Sequence, residues 1–432
     1  MPLKLAIEGG KPIREDFLSY GRQWIDRKDI QAVVEILSSD WLTQGPKVRE
    51  FEEKFAKYCG AKFAVAVNNG TNALFAACFA AGIGKGDEVV TSPLTFVASA
   101  NCILYCGGIP KFVDIDAKTY NLDTEKLEEY LEFKVKSEKL KVKSSGLRVG
   151  SEEFKIKNSK LRIQNSKIKA MIPVHFAGQP AELDEIYRVA KKYRLIVIED
   201  ASHALGAKYK GKKIGSFGDL ACFSFHPVKH ITTGEGGMIT TNNKKFYERL
   251  LLFRTHGITH DKKIMTKCDG PWYYEMQELG HNCRITDFQC ALGISQLQRV
   301  DEFISRRSEI ANYYNQAFKE MEEIRTPRVR LGSVCHVWHL YVIQLKLERL
   351  KVGRRKIFEA LRAENLGVNV HYIPVHLQPY YQKRFGYKLG DYPVAERVYE
   401  RIITLPLYPK MTKKDARDVV RAVKKVVGYY RR

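Results

Sequence analysis

Two charged residues lie 29 positions apart in places where charge is costly. Lys229 sits in Ser224-Phe-His-Pro-Val-Lys229-His-Ile-Thr-Thr-Gly234-Glu-Gly236-Gly237, between the end of an apolar run and a glycine turn. A lysine desolvated there is shifted toward its neutral amine and becomes a nucleophile able to condense with an aldehyde. Taken alone it reads better as a surface lysine in a loop. Asp200 ends the apolar run Ile196-Val-Ile-Glu-Asp200, where a carboxylate is expensive unless it is paired.

A protonated pyridine nitrogen is a suitable partner for Asp200. A lysine for a Schiff base and an acid for a pyridinium are the two protein groups that pyridoxal 5'-phosphate chemistry most needs. The phosphate needs a third element. Gly70-Thr71, at a strand-to-helix turn, offers backbone N–H groups, a hydroxyl and the positive end of a helix dipole. Thr71 also fits the plainer role of a helix cap. No G-x-G-x-x-G follows the first strand, which disfavours a dinucleotide turn. His226 and His230 flank Lys229 and read as packing or supporting groups, with no metal site implied.

These residues need a scaffold of strands that end together. Up to Thr241, short β-branched runs alternate with helical patterns, as in parallel βαβ units. Helices are predicted from the Asp26 cap through Ile30, Val33, Val34 and Leu37, and from Pro46 to a stop at Gly60. A strand at 63–68 leads through Asn69-Gly70-Thr71-Asn72 into a helix ending at Ala81. Further strands are expected at 88–91, 111–114, 170–175, 195–199, 221–224 and 237–241, with helices near 96–105, 182–192 and 244–254. After Ile285 the pattern changes to a long helix through Leu297, strands at 338–344 and 368–372, and a helix near 354–364. The expected division is a large α/β domain over 1–284 and a smaller α+β domain over 285–432.

The 432 residues carry a net charge of +23, and the stretch 133–169 alone contributes +9. That stretch repeats a K-x-K theme with Ser and Asn, and is too long for an ordinary connector. It reads as a basic insertion over about 133–166, solvated and away from the chemistry. Its few aromatics give little support for nucleic-acid recognition, which needs stacking platforms beside the charge. Nine cysteines without a C-x-x-C pair read as reduced core thiols. The N-terminus lacks a signal-peptide pattern, and no apolar stretch is long enough to span a bilayer. A cytoplasmic, non-membrane protein is expected.

The three elements, in this order, resemble the fold-type I aminotransferases that act on nucleotide sugars, the DegT group. Supporting stretches are Leu42-Thr-Gln-Gly45-Pro46, Asn69-Gly70-Thr71-Asn72, Thr95-Phe96-Val-Ala-Ser-Ala-Asn101, Phe253-Arg-Thr-His-Gly257 and Gly280-His-Asn282-Cys-Arg284. The resemblance implies a large domain with a mostly parallel seven-stranded sheet. It also implies that Lys229 attaches the cofactor covalently, Asp200 holds the pyridine nitrogen, His203 lies near the ring hydroxyl and Phe96 stacks on the ring. Gly70, Thr71 and Ser224 hold the phosphate, with Asn282 reaching across from a neighbouring subunit, so that a homodimer shares its active sites.

Within the group, Ser224-Phe-His226, Ala201-Ser-His203 and Val370-His371-Tyr372-Ile373-Pro374 are most similar to the branch that aminates UDP-linked 4-keto-sugars for pseudaminic acid synthesis. Tyr20, Asp40, Trp41, Leu42, Thr43, His371, Tyr372, Ile373 and Pro374 then line the sugar-nucleotide site. The implied cycle takes nitrogen from L-glutamate, stores it as pyridoxamine phosphate and delivers it to the sugar ketone. Two alternatives stand beside it. One is a sugar 3-dehydratase of the same fold, in which a histidine replaces the lysine. The other is a non-catalytic sugar-sensing protein.

Overall fold

The computed structural model describes residues 4–144, 167–330, 332 and 334–432, with side chains over 138–144 excepted. Its centre is a seven-stranded sheet in the order Phe63–Val67, Gly237–Thr241, Leu220–Ser224, Ile196–Asp200, Ile168–Ile172, Glu88–Thr91, Ile109–Phe112. Six strands run the same way, and Gly237–Thr241 is antiparallel to both its neighbours. Most of these strands are buried on both faces, which explains why they read as near-continuous apolar runs.

Helices Pro46–Cys59, Leu183–Tyr193 and Asp287–Leu297 contribute to the core on one face. Gly70–Ala80, Ala98–Tyr105 and Lys244–Arg254 contribute to the core on the other. The predicted caps are present. Asp26 forms a capping box with Asp29, Pro46 stands in the first turn of its helix, and Gly60 ends that helix with φ +79°.

The second core surrounds the three-stranded antiparallel sheet Ile324–Arg325, Tyr341–Leu345, Ile402–Leu405, with helices Val300–Ala317, Arg354–Ala363 and Lys413–Tyr429. Its boundary differs from a single cut after residue 284. Leu5 and Leu18 belong to this second core, and buried Glu364 accepts the N–H groups of Ala6 and Ile13. Asp287–Leu297 instead joins the large domain, where Asp287 accepts the N–H groups of Gly45 and Lys47.

Two further expectations are corrected. Segment 368–372 is not a strand: Asn369 pairs with Thr404, and then its own side chain takes the Val370 N–H, which ends the ladder. The 124–144 helix enters the basic insertion, because its Glu-, Lys- and Leu-rich sequence has no Gly or Pro before Gly146. Lys134 of that helix pairs at 3.0 Å with Glu88, the first residue of its strand, so this part of the insertion lies at the strands' N-terminal edge. The remainder, 145–166, falls outside the described residues.

The helix Arg27–Leu37 forms as expected from its Asp26 cap. Ile30, Val34 and Leu37 are 56%, 47% and 57% exposed, so its apolar stripe faces outward. The helix is anchored instead by buried Asp29, which accepts from Ser295 Oγ, Gln296 Nε2 and Arg299 Nη2 at 2.6–2.7 Å. Among the described residues no helix is long and apolar enough to cross a membrane.

Candidate active site

The C-terminal ends of the parallel strands open into a cleft of about 1020 Å³, where ligands of α/β sheets bind. Lys229 enters it from the loop after strand Leu220–Ser224, where its N–H donates to the His226 carbonyl at 2.9 Å and turns the chain inward. Burial pushes its amine down to about 8, with Asp200 opposing the shift and Arg307 adding to it. At pH 7 about one such amine in ten is neutral, against about one in three thousand for an ordinary lysine.

Asp200 ends its strand at the cleft floor. Its Oδ2 accepts the Ser99 hydroxyl at 2.6 Å and its Oδ1 the Ser202 N–H at 3.1 Å. Ser99 has one hydrogen to give, so Thr95 Oγ1, at 2.8 Å, donates to Ser99. The next residue inward, Glu199, accepts from Tyr187 at 2.6 Å and lies 2.9 Å from His175, which braces the strand from below.

His203 lies on the same wall. Its Nε2 is 3.0 Å from the Tyr372 hydroxyl, and its ring centroid is 4.2 Å from that of His339. Burial holds His203 well below the usual histidine range and raises the Tyr372 hydroxyl, so both are neutral. His203 Nδ1 is buried without a partner, a cost a native site carries when a ligand supplies the bond.

The third wall is a close approach of two strands. Gly70 begins helix Gly70–Ala80 under the Asn69 cap, and a Cβ on Gly70 would lie 2.7 Å from Ser224 Cβ. Gly237 pairs with both Val67 and Ser224, and a Cβ on it would lie 2.4 Å from the Asn69 carbonyl oxygen. Only glycine permits this convergence. It leaves the first-turn N–H groups at Gly70 and Thr71, which have no helical partner, beside the Ser224 hydroxyl.

The structure brings Tyr20, Gly70, Thr71, Phe96, Asp200, His203, Ser224, Lys229, His371 and Tyr372 to one cleft. Phe96 is 54% exposed at the rim, with its ring 6.0 Å from that of Tyr372. His226, read as packing, is exposed and lines the cleft, whereas His230 is buried with Nε2 3.0 Å from the Val337 carbonyl. Asp40, Trp41, Leu42 and Thr43 lie outside the cleft on an exposed loop, as do Asn282 and Ile373; Pro374 does not line it either. Sequence reasoning missed Ser99, His339, Asn369 and Arg307. None of these carries a local signal, since each acts through a contact distant in the chain.

A deprotonation-prone lysine, a doubly hydrogen-bonded carboxylate, an orphaned buried imidazole nitrogen and a cradle that a Cβ would fill are a donor set that fits pyridoxal phosphate. Comparison with known proteins agrees. The family described as DegT/DnrJ/EryC1/StrS aminotransferases matches residues 23–424.

The chain belongs to this aminotransferase family.

Among relatives of this aminotransferase, the spore coat polysaccharide biosynthesis protein SpsC of Bacillus subtilis is 42% identical, covering 96% of this chain and 98% of its own. The UDP-4-amino-4,6-dideoxy-N-acetyl-beta-L-altrosamine transaminase of Campylobacter jejuni is 38% identical, covering 93% of this chain and 95% of its own. Among solved structures, Helicobacter pylori PseC, an aminotransferase of pseudaminic acid biosynthesis, aligns with TM-score 0.82 and 29% identity over 96% of this chain and all of its own. The sugar aminotransferase Spr1654 of Streptococcus pneumoniae, in its PLP form, aligns with TM-score 0.81 and 28% identity over 96% of this chain and 99% of its own. The protein is thus a pyridoxal-phosphate-dependent sugar aminotransferase of fold type I.

Proposed function

We propose that this aminotransferase moves the amino group of L-glutamate onto the C4 ketone of a UDP-linked 4-keto-6-deoxy-hexose. The sugar we favour is UDP-2-acetamido-2,6-dideoxy-β-L-arabino-hex-4-ulose, whose product is a UDP-4-amino-sugar for pseudaminic acid or related glycan synthesis. The observation that carries the reading is a lysine at the cleft wall, with Asp200 and His203 lining the same cleft. A sugar dehydratase of this fold places histidine at that position. Similarity over nearly the whole chain to an enzyme named for this transamination supports the sugar class.

Bound pyridoxal phosphate supplies an aldehyde carbon and a ring that accepts an electron pair. In our reading Gly70, Thr71 and Ser224 would hold its phosphate, Phe96 and His203 would hold its ring, and Asp200 would keep its ring nitrogen protonated. Lys229 Nζ would attach it and, as a free amine, would serve as the base that takes a proton from the donor's Cα and the acid that gives one to the sugar's C4. Tyr20, His371 and Tyr372 bound the sugar side of the cleft.

Asn282 and the loop 40–43 lie outside their own chain's cleft, so we assign them to the cleft of a second copy in a homodimer. The outward stripe of Ile30, Val34 and Leu37 supports such pairing. The test is incubation with ¹⁵N-glutamate and a panel of UDP-4-keto-sugars, with products read by mass spectrometry. Label on the sugar ring of one UDP-sugar and release of 2-oxoglutarate are expected. A product that has lost a hydroxyl without gaining label would instead indicate dehydration.

A further inference from the structure

Arg307, on helix Val300–Ala317, is fully buried and its charge faces no carboxylate. Its Nη1 donates to the carbonyls of Trp338, His339 and Leu407 at 3.3, 3.2 and 2.9 Å. Its Nη2 donates to the carbonyls of Val228 and Lys229 at 3.3 and 3.5 Å, and Nε is buried without a partner. A buried charge is ordinarily paired, and an unpaired one is kept only where the site uses it.

We propose that Arg307 is a positioning residue for Lys229, tying the Val228–Lys229 main chain to the loop that carries His339 and placing an uncompensated positive charge beside the lysine. This rests on the reading of Lys229 as the residue that attaches the cofactor. One guanidinium spans three segments that converge on the cleft: the lysine loop, the Trp338–His339 turn and Leu407.

The groups facing Lys229 are Asp200, which favours its ammonium, and Arg307, which opposes it. His203, His230, His339 and His371 also surround it, and burial keeps all four neutral. Asp200 is thus the one negative group and Arg307 the one fixed positive group in this set. Burial lowers the guanidinium to about 9, which leaves it cationic at neutral pH. Removing that charge favours the ammonium form and moves the titration of Lys229 upward.

The test uses full-length protein freed of cofactor, with trace acetylation of Lys229 by acetic anhydride read by mass spectrometry from about pH 6 to about pH 10. The native midpoint is expected near 8. Arg307→Met and Arg307→Gln remove the charge and should raise the midpoint by about one unit. Thermal melting identifies the folded variants, and Gln, which retains amide donors, serves if Met does not fold. An unmoved midpoint in a folded Met or Gln variant overturns the proposal. Because the labelling involves no sugar, a wrong substrate assignment leaves its outcome unchanged.

Discussion

At the scale of single residues, the proposed function makes Lys229 the nucleophile and Asp200 the electrostatic anchor. Lys229→Ala is expected to yield a colourless protein with no turnover, read by the loss of the visible cofactor band and of borohydride-trapped adduct. Asp200→Asn keeps the shape and the Ser99 contact but removes the charge that protonates the ring, so kcat should fall by about 100-fold or more while cofactor still binds.

The pH dependence follows from the lowered lysine. The neutral amine is the reactive form, and its fraction falls about tenfold per pH unit below the midpoint. Recombination of cofactor-free protein with pyridoxal phosphate should therefore speed up as pH rises and level off above about 8. A flat profile between pH 6 and pH 8 would contradict the desolvated setting of this lysine's amine.

At the scale of elements, the sequence made some boundaries plain because their causes are local. Asp26, Pro46 and Gly60 punctuate two helices through contacts within a turn of themselves. Lys229, Asp200 and the Gly70 turn were legible because charge and glycine in apolar surroundings are costly wherever the chain goes. Segment 368–372 was not legible, since how far it pairs as a strand is set by Thr404, far along the chain. Nor was the outward stripe of Ile30, Val34 and Leu37, because helical periodicity reveals an apolar face without saying what covers it.

The converging ends of the strands Phe63–Val67 and Leu220–Ser224 give a prediction at this scale. Gly70→Ala drives a methyl group against Ser224 Cβ, and Gly237→Ala drives one against a backbone oxygen. Both should weaken cofactor binding by about tenfold or more, measured by titrating the visible band. The Gly237 variant should also melt earlier, because main chain cannot step aside as a serine side chain can.

At the scale of the whole molecule, the loop 40–43 and Asn282 are assigned to a neighbour's cleft, and a mixing experiment reads this directly. Lys229→Ala and Asn282→Ala proteins, the first inactive and the second weak alone, should regain about a quarter of native activity when unfolded and reassembled together, since half the dimers are mixed and each carries one intact site. No gain on mixing would place Asn282 outside any shared site. Replacing 145–166 with a short Gly-Ser link should leave kcat/KM within about twofold, because the flanking helix and strand meet the sheet at the edge opposite the cleft.

Gly70 and Gly237 also give the proposed cofactor cradle an unusual robustness profile. Its shape is specified by atoms that are missing, so no added side chain can improve it and every substitution intrudes. Saturation mutagenesis at these two positions should therefore return a nearly empty list of functional variants. Positions such as Phe96 or Tyr20, which contribute surface instead of space, should return a graded one.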